Sequence, residues 1–238
     1  MDVHSAGPTD MPAPEGRLRR AYLLETAVYF LVLVPWMGFA TLGRQPDDLG
    51  FPLVAAVIVL HDVALTALAL YLVWRNGEGA AAVGWVRHGW GREAVLGAAL
   101  FVPLFLGVAL LETLLRAAGF AEPVKPPAYL LPQAGVDYAF ALVLLVVVAV
   151  AEETVFRGYL LRRFMQLTGS AGAAVIVTSL VFALGHGYQG PLGVIAVGAI
   201  GATFAVVYLW RGSLVAPVVM HFIQNFLGLI VAPNVLQG

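Results

Sequence analysis

The chain of 238 residues contains no cysteine, and only 11% of its residues are charged. The lack of cysteine excludes a domain held together by disulfides. A soluble domain is typically ~25% charged, so the low charge argues against an ordinary soluble protein. The net charge of −1 excludes the basic surface of a nucleic-acid binder. The chain is instead 61% hydrophobic, which also excludes a disordered protein.

Long apolar runs recur along the chain, and a membrane-spanning helix needs ~20 mostly apolar residues. Charged and Pro/Gly-rich breaks separate seven runs: 21–43, 51–74, 93–116, 136–161, 171–187, 191–210 and 213–232. We predict an all-α fold, a polytopic transmembrane helix bundle with about seven spans. Residues 1–16 are predicted to form a flexible cytoplasmic tail, and 17–135 the N-terminal transmembrane helices 1–3.

Basic residues are concentrated in alternate loops, which predicts the orientation of the chain because cytoplasmic loops carry the excess of Lys and Arg. With the N-terminus inside, the inner segments carry Arg17, Arg19, Arg20, Arg75, Arg87, Arg92, Arg162, Arg163 and Arg211. The outer segments carry Arg44, Arg116 and Lys125. We expect an integral membrane protein of the bacterial inner (plasma) membrane with a cytoplasmic N-terminus.

The fourth run contains charges that are costly in a bilayer. A charged side chain at the bilayer centre costs at least ~2.5–3.5 kcal/mol, so such residues are candidates for function. Glu153 and Arg157 are four residues apart on one helix face, where they can pair. Glu152 projects about 100° away from Glu153, so it is free to point into the bundle.

Two later runs carry polar residues at helical spacing. Phe182 precedes His186 by four residues, and His221 precedes Asn225 by four, spacings that are also typical of helix packing. Counted at ~1.5 Å per residue from the predicted inner ends, Glu152, His186 and His221 lie ~15, ~22 and ~12–15 Å deep. A carboxylate, two imidazoles and an amide at one level predict a hydrolytic site within the membrane, in a cavity that opens inward.

The adjacent pair His61-Asp62 lies in the middle of the second run. Two ionisable residues at this position are costly unless they face another helix or a wet cavity. Two interpretations stay open: a structural contact between helices, and substrate binding or gating.

Three motifs occur in order along the second half of the chain: Glu152-Glu153-x-x-x-Arg157, Phe182-x-x-x-His186 and His221-x-x-x-Asn225. They resemble the motifs of the CPBP intramembrane proteases, which include the CAAX prenyl endopeptidases of the Rce1 type and bacterial relatives linked to bacteriocin self-immunity. The resemblance implies that 136–232 form an Rce1-like protease core. It also implies an endopeptidase that hydrolyses a peptide bond of a membrane-associated protein or peptide.

The resemblance further implies a task for each motif. Glu152 would activate the attacking water with help from His186. His221 and Asn225 would bind a metal or stabilise the oxyanion, and the Glu-Arg pair of the first motif would support the site.

Two mechanisms fit the same residues. In the first, His186 and His221, with Glu152 or Asn225, hold a Zn²⁺ ion that activates water. In the second, Glu152 and His186 take the proton without a metal, while Asn225 and His221 donate hydrogen bonds to the oxyanion.

Two other functions use the same features. A proton-coupled transporter could use the carboxylates of the fourth run and His61-Asp62 as a relay. A non-enzymatic membrane scaffold or bacteriocin-immunity protein could keep the fold without cleavage. The partners expected for a protease are a peptide or protein substrate at the membrane and the lipid bilayer, without nucleic acid.

Overall fold

A computed structural model describes residues 16–42, 50–86, 89–121, 128–133 and 135–233. The described residues form seven helices and no strand: α1 Gly16–Leu42, α2 Phe51–Arg75, α3 Trp90–Ala117, α4 Gly135–Thr168, α5 Ala171–Leu184, α6 Gly190–Arg211 and α7 Val215–Val231. The predicted all-α fold is confirmed. Apart from Gly16, where α1 begins, the predicted tail lies outside the described residues, as do the loop cations Arg44, Arg87 and Lys125.

Four of the described helices, α2, α3, α4 and α6, are long and apolar enough to cross a membrane. Helices α5 and α7 are apolar but shorter. Large apolar side chains such as Leu60, Val95 and Leu106 are exposed on the helix surfaces. A bilayer would cover these side chains, so their exposure agrees with the predicted transmembrane bundle.

Helix α4 continues to Thr168, beyond the predicted end of the run at residue 161, because its charged final turns have a partner. Glu78, in the connection between α2 and α3, accepts hydrogen bonds from Arg162 and Arg163, each at 3.1 Å. Arg163 is fully buried there. Burial raises the pKa of Glu78, but the two arginines outweigh burial and hold that pKa below its usual value.

A tight turn joins α4 to α5. Gly169 has a φ of +67°, a left-handed conformation that favours glycine. Ser170 then caps α5, because its side-chain oxygen accepts a hydrogen bond from the backbone N–H of Ala173 at 3.2 Å. The turn places α5 beside the second half of α4.

The helices pack around a shared centre, with α2 against α4, α3 against α7 and α5 against α6. On one side, Tyr29 of α1 is fully buried and donates a hydrogen bond to the Leu65 carbonyl of α2 at 3.1 Å. On the other side, Phe101, Phe204 and Met220 join α3, α6 and α7 in one apolar cluster. This packing brings α4, α5 and α7, which carry the three motifs, to the middle of the bundle.

Candidate active site

The backbone of α4 changes conformation where the first motif lies. After Glu153 the helix widens into a π-helical segment over Thr154–Leu160, a feature that often occurs at functional sites. The Thr154 hydroxyl donates to the Val150 carbonyl at 2.6 Å and accepts from the indole N–H of Trp85 at 3.1 Å. The connection between α2 and α3 therefore fixes the helix one residue after the two glutamates.

Glu153 and Arg157 form the predicted ion pair, which lies entirely inside the protein. The Nη1 atom of Arg157 donates to Oε1 of Glu153 at 2.7 Å, and the two side chains are 2% and 0% exposed. The Nη2 atom of Arg157 donates to the Gly201 carbonyl of α6 at 3.2 Å. The guanidinium also lies 4.5 Å from the ring centre of Phe182 in α5, a cation–π contact. The pair therefore joins α4, α5 and α6.

Gly201 makes room for this arrangement. A Cβ atom at Gly201 would lie 3.1 Å from Cδ1 of Phe182 and 3.4 Å from Nη2 of Arg157. A side chain here would press on the Phe182 ring and touch the guanidinium, so the close approach of α6 favours glycine at this position.

His221 of α7 is held by the ion pair. Its Nδ1–H donates to Oε1 of Glu153 at 2.8 Å, and its Nε2 lies 3.6 Å from Oε2 of Glu152. Because a carboxylate only accepts hydrogen bonds, the proton of this bond is on Nδ1. The bond orients the ring so that Nε2 points toward Glu152. A carboxylate that fixes the tautomer and ring orientation of a histidine is a common support in enzyme sites.

His186 follows the end of α5, where carbonyl groups lack helical partners. Its Nδ1–H donates to the Phe182 carbonyl at 2.9 Å, and the two rings lie 4.8 Å apart. The four-residue spacing therefore places the His186 ring within hydrogen-bond distance of the Phe182 carbonyl. This bond leaves Nε2 of His186 as the acceptor atom.

A cavity of about 690 Å³ connects the motifs. Glu152, His186, His221 and Asn225 all line it, together with mainly aliphatic side chains. Glu153 and Arg157 do not line it and lie behind His221. The structure thus divides the six predicted residues into four that face the cavity and two that hold one of the four.

The cavity lies toward one end of the bundle. Met37 near the end of α1, Leu53 near the start of α2 and Glu112 near the end of α3 line it, as do Tyr129 and Gln189 in the connections. The arginine-rich helix ends lie at the opposite side. In the predicted orientation the cavity therefore lies in the outer half of the bundle, so the predicted orientation and the expected inward-opening cavity cannot both hold. That expectation treated every run as a full span, whereas α5 has 14 residues and His186 follows its far end.

Comparison with known families gives a match over the part of the chain that carries the three motifs. Residues 134–227 match the family model described as type II CAAX prenyl endopeptidase Rce1-like. The matched segment is called the Rce1-like domain. It contains all six predicted site residues, and it confirms the resemblance that the motifs indicated. No curated protein and no solved structure matches the chain.

Helix α2, outside the Rce1-like domain, also contributes to the cavity. His61 and Asp62 both line it, and Nδ1–H of His61 donates to Oδ1 of Asp62 at 3.2 Å. Asp62 lies close enough to Glu152 and His221 to interact electrostatically with both. The two residues thus belong to the same cavity as the motifs, a relation that sequence spacing could not indicate.

The donor set of the Rce1-like domain bears on the predicted metal. Among the described residues, no group of three or more His, Asp or Glu side chains is arranged to hold a metal ion. Nδ1 of His221 is bonded to Glu153, and Nδ1 of His186 is bonded to a backbone carbonyl. These bonds leave Nε2 of each ring as the atom that could bind a metal. The described side chains are nevertheless not gathered into a three-ligand site, and Zn²⁺ stays a prediction.

Proposed function

We propose that the chain is an intramembrane endopeptidase that hydrolyses a peptide bond of a membrane-associated protein or peptide. The observation that carries this proposal is the meeting of Glu152, His186, His221 and Asn225 in one cavity of an apolar bundle. Together they offer a base, proton acceptors and hydrogen-bond donors, which peptide hydrolysis needs. The endopeptidase family of the matched segment supports the same class of reaction.

Glu152 is the general base in this mechanism. Its carboxylate takes a proton from water while the water oxygen forms a bond to the scissile carbonyl carbon. As the C–N bond breaks, Glu152 passes the proton to the leaving nitrogen. The Oε2 atom of Glu152 is buried and accepts no hydrogen bond from the described residues, which supports a role in binding water.

Histidine and asparagine side chains stabilise the intermediates. Nε2 of His186 accepts a hydrogen bond from the attacking water, and the Asn225 amide donates one to the oxyanion. Nε2 of His221 lies 3.6 Å from Oε2 of Glu152, too far for a direct hydrogen bond, so His221 accepts the proton of Glu152 only when the two groups move closer. Glu153 and Arg157 are positioning residues, since they touch His221 and not the cavity.

We further propose that the protein lies in the bacterial inner membrane with its N-terminus in the cytoplasm. The excess of arginine at one end of the bundle supports this orientation. The cavity lies at the end of the bundle opposite to these arginines, so in this orientation the substrate enters from the outer half of the membrane.

Comparative membrane proteomics tests the proposed function and identifies the substrate in the same experiment. Cells with the wild type and with Glu152→Ala are compared, and at least one membrane-associated protein is expected to accumulate uncleaved in the variant. His186→Ala should give the same accumulation. Glu112→Gln is the matched control, because Glu112 also lines the cavity but is paired with Arg116 at 3.0 Å. Full processing by Glu152→Ala would overturn the proposal.

Metal analysis of the purified, active protein tests the zinc prediction. Bound zinc whose removal abolishes cleavage, and whose return restores it, would support a metal mechanism. Full activity in protein without bound metal would reject it and favour the side-chain mechanism.

A further inference from the structure

The proposed mechanism leaves one buried acid of the cavity without a task. Asp62 is 8% exposed, and its Oδ2 atom has no hydrogen-bond partner among the described residues. Its other oxygen, Oδ1, accepts a hydrogen bond from His61 at 3.2 Å. A buried carboxylate oxygen without a donor is costly, so this atom is suited to a ligand that brings a donor.

The charges around the cavity have one sign. Asp62, Glu112 and Glu152 line it, and none of the described lining residues is Lys or Arg. Glu112 is neutralised by Arg116, which leaves Asp62 and Glu152 as the acids without a salt-bridged Lys or Arg in the described part of the chain. The field inside the cavity therefore favours positive groups and opposes a carboxylate, such as the C-terminus of a peptide.

Most of the remaining lining is apolar. Leu144, Val148 and Ile200 line the same space. A complementary peptide is therefore apolar and carries one cationic group, because a buried acid and a buried base are stable together but costly apart.

We propose that Asp62 binds a cationic group of the substrate, either a Lys or Arg side chain or a free α-ammonium group, beside the bond that Glu152 hydrolyses. This inference rests on the proposed function and gives the substrate a chemical class. It also gives α2, which lies outside the Rce1-like domain, a part in specificity.

Paired peptides test the inference with the full chain in lipid nanodiscs. The probes are acetylated apolar peptides that carry either lysine or norleucine at each position around a central bond. The free energy of a charge-assisted hydrogen bond corresponds to a change of about 10- to 100-fold in kcat/KM. Lysine at one position should therefore raise kcat/KM by this factor over norleucine at the same position. A third set with a free N-terminus separates the α-ammonium group from the side chain as the source of the cation.

The variants assign the preference to one carboxylate. Asp62→Asn should remove the preference, so that kcat/KM falls about 10- to 100-fold more for the preferred cationic peptide than for the norleucine peptide. Asp62→Glu should keep part of the preference, because it keeps the charge. Glu112→Gln, the matched control, should keep all of it. A preference that survives Asp62→Asn, or a wild type that prefers neither peptide, would overturn the inference.

A binding measurement separates this inference from the proposed function. Glu152→Gln removes the base but keeps Asp62, so it should still bind the lysine peptide more tightly than the norleucine peptide. Adding Asp62→Asn to this variant should abolish the difference. If Glu152→Gln cleaves as well as the wild type, the proposed base fails while the binding preference still tests Asp62. Equal affinity for both peptides would overturn the role of Asp62 even if hydrolysis is observed.

Discussion

Replacement of Arg157 by methionine is expected to damage both stability and activity. Arg157 donates to Glu153 and to the Gly201 carbonyl and is 2% exposed. Methionine keeps the apolar contacts but leaves the Glu153 carboxylate buried without its cation. Removal of one partner from a buried ion pair costs about 3–5 kcal/mol. At about 2–4 °C per kcal/mol for a chain of this size, Tm should fall by ~10 °C.

The double variant Glu153→Gln/Arg157→Met distinguishes the two effects. It removes both charges, so no buried charge is left unpaired, and it should be more stable than Arg157→Met alone. With Glu153→Gln alone as the other single variant, we expect a coupling energy of about 2 kcal/mol between the two positions. Activity should stay low, about 10- to 100-fold below the wild type, because His221 loses the carboxylate that orients it.

Thermal melting in detergent and peptide cleavage in nanodiscs measure the two effects on the same samples. Additive losses of stability, with a coupling energy near zero, would refute a direct ion pair. Wild-type activity in the double variant would refute the orientation of His221 by Glu153.

Three further predictions concern α6, the connection between α2 and α3, and the sidedness of the cavity. Gly201→Ala should lower stability by about 1–3 kcal/mol through overpacking, whereas Gly107→Ala, with open space around its Cβ position, should not. Glu78 should add stability that is present above its unfolded pKa of ~4.3 and is lost as pH falls through its lower folded pKa. A melting series in acid should therefore be steeper for the wild type than for Glu78→Gln. Because the chain has no cysteine, single-cysteine variants can be labelled directly. Ala118→Cys should react with an impermeant maleimide in intact cells, and Ala80→Cys only after permeabilisation.

Each of these three predictions has a contradicting result. Equal melting temperatures for the two glycine variants would argue against the close approach of α6. Parallel acid melting curves would mean that the arginines do not lower the pKa of Glu78. Labelling of Ala80→Cys in intact cells, with Ala118→Cys protected, would reverse the orientation and turn the cavity inward.

Sequence periodicity was enough to predict the helices and one contact of the site. Apolar runs bounded by charge and glycine correspond to the seven described helices, and the four-residue spacing of Glu153 and Arg157 predicted their pair. Contacts within one helix are predictable in this way because helical geometry fixes them.

Contacts between distant segments could not be predicted in the same way. The bond from His221 to Glu153 joins residues 68 positions apart, and Glu78 stabilises the end of α4 across a comparable separation. The π-helical segment and the short α5 depend on packing, so the depths that were counted along regular spans placed the site nearer to the arginine-rich helix ends than the cavity lies. The place of His61-Asp62 likewise depends on how α2 packs, because that packing turns both side chains toward the cavity.

The most direct test is the cleavage of a peptide mixture by purified wild type and Glu152→Gln in lipid nanodiscs, followed by mass spectrometry. This substitution changes little in shape but removes the proposed base. We expect defined cleavage products from the wild type and only background from Glu152→Gln, with both proteins melting at similar temperatures. Cleavage by Glu152→Gln at the wild-type rate, or no cleavage by the folded wild type, would contradict an endopeptidase that uses Glu152 to activate water.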